Sequence, residues 1–306
     1  MKLYKQTLKL ESSLVTPLKG DTLWGHIAWG IAVHEGEDAV KSFLEESQTA
    51  PHLIVSSAFP AGYLCKPYPA PRKRTKMLSL TQYADIKKQK KQRYAVAADY
   101  LSGSSGADTA GNAGTNNTQV KQPYIKSDTR MHNSIDRYSN TVMEGNLYTV
   151  TDLWASQPLF DIYILSSLSP ERVTELLTWA FENGYGADAS VGKGKISLNG
   201  SLEAVQPRAN SRQYMALAPF VMLETAGITE LRAELFLRTG KIGGAFASSL
   251  SPYKKTVLLY DEGAVFTADE PIEYIGTLLQ NMHTDERICQ AAFAPVIPIT
   301  DVSGQL

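Results

Sequence analysis

The sequence predicts an α+β protein in two parts, and three observations carry that reading. Residues 1–207 run in the order strand, helix, strand, long insertion, strand, strand, helix, glycine loop, strand. Inside the insertion the composition collapses to Gly, Ser, Ala, Asn and Thr between Leu101 and Gln122. After Pro207 the pattern restarts with a fresh series of strand-like segments. At 306 residues, 43% hydrophobic and 20% charged, the chain suits one large domain or two coupled ones and is not composed like a disordered protein.

Leu3 to Leu10 alternates apolar and polar residues, with one slip in phase, as a first strand does. A loop over Thr16–Gly20 leads to Asp21, a suitable N-cap, and to a helix with Leu23, Trp24, Ile27, Ala28 and Ile31 on one face. A short helix over Ala39–Leu44 and a strand at Leu53–Val55 follow. The low-complexity stretch to Gln122 is expected to be flexible, with order resuming near Tyr124. Leu147–Trp154 and Leu159–Leu165 read as strands. Ser169-Pro170-Glu171 then starts a helix with a hydroxyl cap, a proline in the first turn and an acid at the positive dipole end. Its apolar face is Val173, Leu176, Leu177, Ala180 and Phe181; Gly184 ends it, and Lys195–Leu198 opens the next strand. This order is compatible with a ferredoxin-like domain carrying an enlarged central insertion. Beyond it, strands over Tyr214–Leu223, Leu231–Leu237, Val257–Tyr260 and Ile288–Ile299, with a helix over Ile272–Met282, make a β-rich second domain at 208–306.

A net charge of −1 argues at first against a nucleic-acid partner. Between Lys66 and Arg93, however, ten bases stand against one acid, a local +9 that leaves −10 on the rest of the chain. Such a segment attracts phosphates whatever the total. Tyr68, Tyr83 and Tyr94 lie among these charges and offer faces on which a base can stack. A solvated, lysine-rich linker has the same composition.

The segment Gly184-Tyr-Gly186-Ala-Asp-Ala-Ser-Val-Gly192-Lys-Gly194-Lys195 fails as a P-loop: five residues separate Gly186 from Gly192-Lys193, and Gly194 stands where the hydroxyl belongs. It also follows a helix and precedes a strand, the reverse of a dinucleotide fingerprint. What remains is a nest of backbone amides flanked by Lys193 and Lys195, suited to a sugar-phosphate chain, or a long connection whose glycines only satisfy geometry.

With its placement after a helix near the end of a ferredoxin-like domain, this loop resembles the glycine-rich loop of the RAMP superfamily, the repeat-associated RNA-binding proteins of CRISPR–Cas systems. Within it the chain is similar to the group, typified by the fourth Csm subunit of type III-A effector complexes, that holds the 5′ end of the guide RNA. Four further segments carry the likeness in the expected order: Gly20–His26, Ser56–Tyr63 with Lys66-Pro67, His132–Arg137 and Ala291–Pro295. The resemblance implies two ferredoxin-like (RRM-related) domains, the second degenerate, and a basic insertion or thumb at about 66–122 that bends the RNA. It implies contact with the repeat-derived 5′ handle of the crRNA, and with target RNA only indirectly. The implied protein partners are the large palm/cyclase-domain subunit and the backbone RAMP subunits, in antiviral defence. The Gly/Ser/Asn-rich stretch to Gln122 departs from the family pattern and puts the length of the thumb in question.

Charge, aromatics and resemblance together nominate as RNA-binding residues Lys19, Lys66, Tyr68, Arg72, Lys73, Arg74, Lys76, His132, Asn133, Arg137 and Tyr138. In the glycine loop they add Gly184, Gly186, Ser190, Gly192, Lys193, Gly194 and Lys195. Some RAMP relatives are endoribonucleases with a histidine near the first helix, so His26, or His132 near Arg137 and Tyr138, stands as the alternative: metal-independent processing of precursor RNA. A protein scaffold whose basic run binds an acidic partner is the third reading. No metal or cofactor is expected: His34, His52 and His283 lack ligand-spaced partners, and Cys65 and Cys289 stand alone. No nucleophile elbow is present, and Asp188 is expected to cap loop amides rather than act as an acid. Two isolated cysteines, no apolar run near ~20 residues and no signal-like start predict a cytoplasmic protein, and the resemblance implies a non-catalytic, RNA-binding subunit.

Overall fold

The computed structural model describes residues 1–70, 79, 81, 83, 86–87, 91–102, 123–222, 227–243 and 251–300. The chain opens with β1 (Lys2–Leu10), α1 (Gly20–His34), α2 (Glu37–Thr49) and β2 (Leu53–Val55). Between β2 and the next core strand lie β3 (Phe59–Pro60), β4 (Tyr63–Cys65), β5 (Tyr94–Val96), β6 (Leu101–Ser102) and a long pair, β7 (Ile125–Ile135) and β8 (Val142–Ala155). Then come β9 (Leu159–Ser166), α3 (Pro170–Glu182), β10 (Ile196–Ala204) and β11 (Gln206–Pro207). The remaining described residues supply β12 (Gln213–Ala216), β13 (Ile228–Arg232), β14 (Leu235–Arg238), β15 (Val257–Tyr260), β16 (Val265–Ala268), β17 (Tyr274–Leu279) and β18 (Gln290–Pro298).

The first sheet runs β10-β1-β9-β2, every pair antiparallel, with β3 also on β9. The second runs β13-β16-β12-β18-β17, again antiparallel. Set aside β17, and both sheets show one order: fourth, first, third, second strand of their own half. In the first half the two crossovers are helical; in the second, β17 stands in the last one and no helix occurs among the described residues. No described helix is long and apolar enough to cross a membrane.

The phase slip in β1 has a cause. At Gln6 the strand shifts register against β10, between Lys5 and Thr7. The Gln6 amide fills the break, donating to the carbonyls of Thr7, Asn199 and Gly200 at 3.0, 3.2 and 3.3 Å. The α3 expectation holds: Ser169 Oγ accepts from the Arg172 amide, and all five apolar-face residues are buried. Gly184 follows with φ +80°, its amide donating to the Phe181 carbonyl.

Four elements differ from the sequence reading. Asp21 is not the cap of α1; Lys19 is, and the Gly20 amide donates to Ser57 Oγ instead. Helix α2 extends well beyond Ala39–Leu44 at both ends. The run Leu231–Leu237 divides into β13 and β14. Residues 272–282 are no helix: β17 pairs residue by residue with β18, and a β-carbon on Gly276 (φ +96°) would overlap the Ala292 carbonyl. Ile275, Leu278, Leu279 and Met282 fit helical spacing, but sheet pairing overrides that local signal. Strands β7 and β16 and the short strands β3, β4, β5, β6 and β11 carry no expectation from the sequence.

The two halves share one core. Trp24 on α1 stacks on Phe43 of α2 at 5.1 Å and meets Phe293 of β18 edge-on at 5.4 Å, while its indole nitrogen donates to the Leu53 carbonyl. Leu278, Ala291 and Phe293 of the second sheet lie in the same cluster as Leu8, Ile27, Ile162 and Leu176 of the first half. A second cluster joins Phe59, Leu64, Cys65 and Leu101, all between β2 and β9, to Met215, Val265 and Ile297. Trp24→Ala is expected to destabilise the protein by roughly 3–5 kcal/mol and to leave a single urea transition, because the halves are not separable units. Two resolved transitions would contradict the shared core.

Candidate nucleic-acid interface

The glycine loop is a tightly determined structure. Gly184, Gly186, Asp188, Gly192 and Gly194 all take left-handed backbone angles, with φ between +60° and +91°. Two of these glycines are also sterically required: a β-carbon on Gly186 would lie 2.5 Å from Thr16, and one on Gly194 would overlap the Tyr185 carbonyl. The amides face mostly inward. Tyr185 donates to the Gly194 carbonyl, Gly194 to Ser13, Ala187 to Thr16 Oγ1 and Lys195 to Ser12 Oγ. Val191 and Lys193 donate to the Asp188 main-chain carbonyl, so Asp188 caps amides through its backbone and not its carboxylate. The expected open nest is therefore largely filled by the protein itself. The amides of Asp188, Ala189 and Ser190 are not among these bonds, and Ser190 is exposed on the one-turn helix Ala189–Val191.

His26 belongs to this loop. Its Nε2 accepts the Gly186 amide at 3.2 Å, the ring packs on Tyr185 at 4.8 Å, and burial lowers its pKa to about 4 against a backbone bond to Ala180. A neutral ring bonded in this way fixes the loop and is not placed to shuttle protons.

Of the loop lysines, only Lys195 is open. Its side chain is 71% exposed, with Glu11 at 3.1 Å, an exposed pair of small consequence. Lys193 Nζ instead meets both Asp152 carboxylate oxygens at 2.8 Å and Ser13 Oγ at 3.2 Å. An ammonium has three donors, and all three are engaged.

Asp152 is on β8, so this bond leads from the loop to the hairpin. Residues 11–18 complete the junction: Leu14 and Leu153 exchange backbone hydrogen bonds, and the Tyr185 hydroxyl donates to the Pro17 carbonyl. Beyond its root the β7–β8 ribbon is exposed on both faces. Directly opposed residues share a face. One face carries Lys126 opposite Trp154, Asp128 opposite Asp152, Arg130 opposite Val150 and His132 opposite Tyr148. The Arg130 guanidinium lies 6.0 Å from the Trp154 ring, and the His132 ring stacks on Tyr148 at 5.6 Å. Asn133, opposite Leu147, is on the other face with Thr129, Thr151 and Met131. At the tip the Asp136 carboxylate accepts the Tyr138 amide at 2.8 Å, a bond that holds its pKa low; Arg137 is exposed and Tyr138 wholly so.

The nominated residues thus fall in different places. Lys195 and Ser190 are exposed at the loop, and His132, Arg137 and Tyr138 are exposed along the hairpin. Gly184, Gly186, Gly192 and Gly194 shape the loop, and Asn133 faces away. Tyr68 is exposed beyond β4, its amide bonded to the Gly263 carbonyl, and Lys66 is half-buried there. Tyr94 is half-buried, packed against the second cluster, while Tyr83 is exposed. Arg72, Lys73, Arg74 and Lys76 lie outside the described residues. Lys19 is elsewhere, with Asp261 and Glu262 each 2.6 Å from its ammonium, and so is neutralised. Arg130, Tyr148 and Trp154 are not among the residues the sequence nominates: Tyr148 and Trp154 lie on the strand expected at Leu147–Trp154, but their cross-strand neighbours are on β7, whose pattern announces no strand.

No protein-family model and no curated protein matches the sequence. Solved structures do. The chain aligns over 99% of its length with the whole of a chain in the crystal structure of a Csm1-Csm4 cassette in complex with pppApA, at a TM-score of 0.56 and 13% identity. With a chain of the Csm1-Csm4 cassette in complex with AMPPNP the figures are 97% of this chain, 98% of that one, 0.55 and 13%. With a chain of the Csm3-Csm4 subcomplex in the type III-A CRISPR-Cas interference complex they are 98%, 100%, 0.52 and 11%. The chain therefore shares, end to end, the fold of these chains.

The Lys19 cluster has a pH signature. Ser57 donates to Glu262 Oε2 at 3.1 Å, and burial pushes the Glu262 carboxyl from its ordinary 4.5 up to about 7. A folded-state pKa above the unfolded one means that the fold holds a proton the unfolded chain releases. Stability is then lost as pH rises from about 4.5 to about 7. Relative to Glu262→Gln, the wild type should weaken across that window in urea denaturation at a series of pH values. Parallel pH profiles for the two proteins would count against this placement.

Proposed function

We propose that the chain is a crRNA-binding structural subunit of a type III CRISPR–Cas effector complex, acting in the cytoplasm in antiviral defence. It holds the 5′ handle of the guide and joins a large palm-domain subunit to backbone RAMP subunits. The observation that carries this reading is the hairpin face that leaves the glycine loop at Asp152 and presents Arg130, Trp154, His132 and Tyr148 to solvent. Aromatic faces interleaved with cations take single-stranded RNA by stacking and phosphate attraction, with little demand on sequence. The end-to-end fold likeness supports the same reading. So does the strand order, shared by both sheets, which fits a ferredoxin-like domain over 1–207 and a second, degenerate one over 208–306.

The reading is of a binder and not a nuclease. His26 is held neutral and bonded within the fold, and His132 is stacked on Tyr148 on a ribbon open to solvent, away from the histidine near the first helix.

Fluorescence anisotropy of labelled handle-length RNA against the purified chain tests this. Tyr148→Ala is expected to weaken binding by about 1–3 kcal/mol. Arg130→Ala and Lys195→Ala should each flatten the salt dependence by about 0.7 in log–log slope. Binding unaltered in all three variants, or no RNA in the complex purified from cells, would overturn the assignment.

A further inference from the structure

We propose that Lys193 is a positioning residue and not an RNA ligand: by gripping Asp152 it locks the root of the β7–β8 ribbon to the glycine loop, so that the two present one continuous surface. The proposal rests on the RNA-binding reading above. Its ground is the number of donors. The three N–H bonds of the Lys193 ammonium go to Asp152 Oδ1, Asp152 Oδ2 and Ser13 Oγ, which leaves none for a phosphate. Asp152 is 2% exposed, so the carboxylate is enclosed by this contact and not merely near it.

The same junction is tied by backbone on both sides. Leu14 and Leu153 bond to each other at 3.1 and 2.6 Å, and the Gly194 amide donates to the Ser13 carbonyl at 2.8 Å. Residues 13 and 14 thus touch loop and ribbon together, and the Lys193–Asp152 pair closes the triangle. Geometry of this kind matters for a ligand that touches both parts. A strand bound at the loop meets the ribbon as an intramolecular event, and the gain depends on the two parts keeping a fixed distance and angle.

Asp152 gives the test its sign. It lies on the aromatic and basic face, opposite Asp128. If charge alone decided RNA affinity, Asp152→Asn would strengthen binding by removing a negative charge beneath the face and leaving the Lys193 ammonium uncompensated. If Asp152 anchors the ribbon through Lys193, Asp152→Asn should weaken it.

The experiment compares the full-length wild type with Lys193→Met, Asp152→Asn, Lys193→Arg and Lys195→Ala, using single-stranded RNAs of about 4 and about 12 nucleotides. In the wild type the long RNA binds more tightly than the short. Lys193→Met and Asp152→Asn should each cut that advantage by about tenfold or more, with short-RNA affinity and its salt slope unchanged. Lys193→Arg should retain the advantage. Lys195→Ala, which removes an exposed cation, should lower the salt slope for both lengths. Where Asp152→Asn does not fold, Asp152→Glu keeps the charge and displaces the carboxylate, with the same loss for long RNA only. Tighter binding by Asp152→Asn, or a lowered short-RNA salt slope in Lys193→Met, overturns the positioning role and leaves RNA binding standing. Failure of the wild type to bind either RNA overturns both.

Discussion

A β-carbon on Gly20 would stand 2.6 Å from the Val55 carbonyl oxygen and 2.7 Å from the Ala218 β-carbon, so α1 can begin on the seam between the two sheets only because no side chain is there. That seat fixes the direction of the helix, and the side chains along it then reach every other part of the fold. Lys19 meets Asp261 and Glu262, and Trp24 meets Phe293. Asp21, buried in the first turn, is paired with Arg238 at 2.7 Å and accepts from Gln290 at 3.0 Å. A turn further on, His26 holds Gly186, and Gly30 lets Trp179 of α3 approach. Removing one partner of such a buried pair leaves an uncompensated charge, so these contacts specify the arrangement more than they add net stability. The second sheet, α3 and the glycine loop all take their positions from one helix.

The charges divide on the same principle. Lysines held by buried or half-buried carboxylates, Lys193 and Lys19, belong to the architecture. Those in open solvent, Lys195 and Lys126 with Arg130 and Arg137, set the field an approaching polyanion meets. Counting bases along the sequence cannot separate the two kinds, because the acids that neutralise Lys19 and Lys193 come from more than two hundred residues downstream in one case and from a separate strand in the other.

Much of the first half was legible because local and tertiary signals agree there. The apolar face of α3, its Ser169 cap and the ending at Gly184 are read from neighbours in sequence, and the structure keeps all of them. The second half was less legible. Its strands are held by pairing with distant partners, so Ile272–Met282 satisfied a helical spacing and became β17, and Gly276 was the one residue that argued otherwise. The candidate site was legible in its parts but not in its assembly. The glycines marked the loop, and His132–Arg137 marked the hairpin tip. Strand β7 was missed because both of its faces are exposed, so no apolar alternation exists to announce it. Without β7, the stacking of His132 on Tyr148 and of Arg130 near Trp154 had no register from which to be inferred.

A ribbon of two strands with solvent on both sides is marginal by itself. This one carries cross-strand contacts, Thr129 with Thr151 and His132 with Tyr148, and is bonded at its root through Leu14–Leu153 and Lys193–Asp152. Even so it leaves Trp154, Tyr148 and Tyr138 exposed on a surface that also carries cations. A protein surface covering those rings would have to bring acids to Lys126 and Arg130 and flat apolar area between them. A single strand of RNA combines both features at a regular spacing: planar bases that bury against the rings, and phosphates that stay in water near the cations. On the proposed reading, the glycine loop at the base of the ribbon and the fully exposed Tyr138 at its end mark the two limits of the surface offered to RNA. The proposed role of the Lys193–Asp152 contact at that base is to hold the two parts in register for a single ligand.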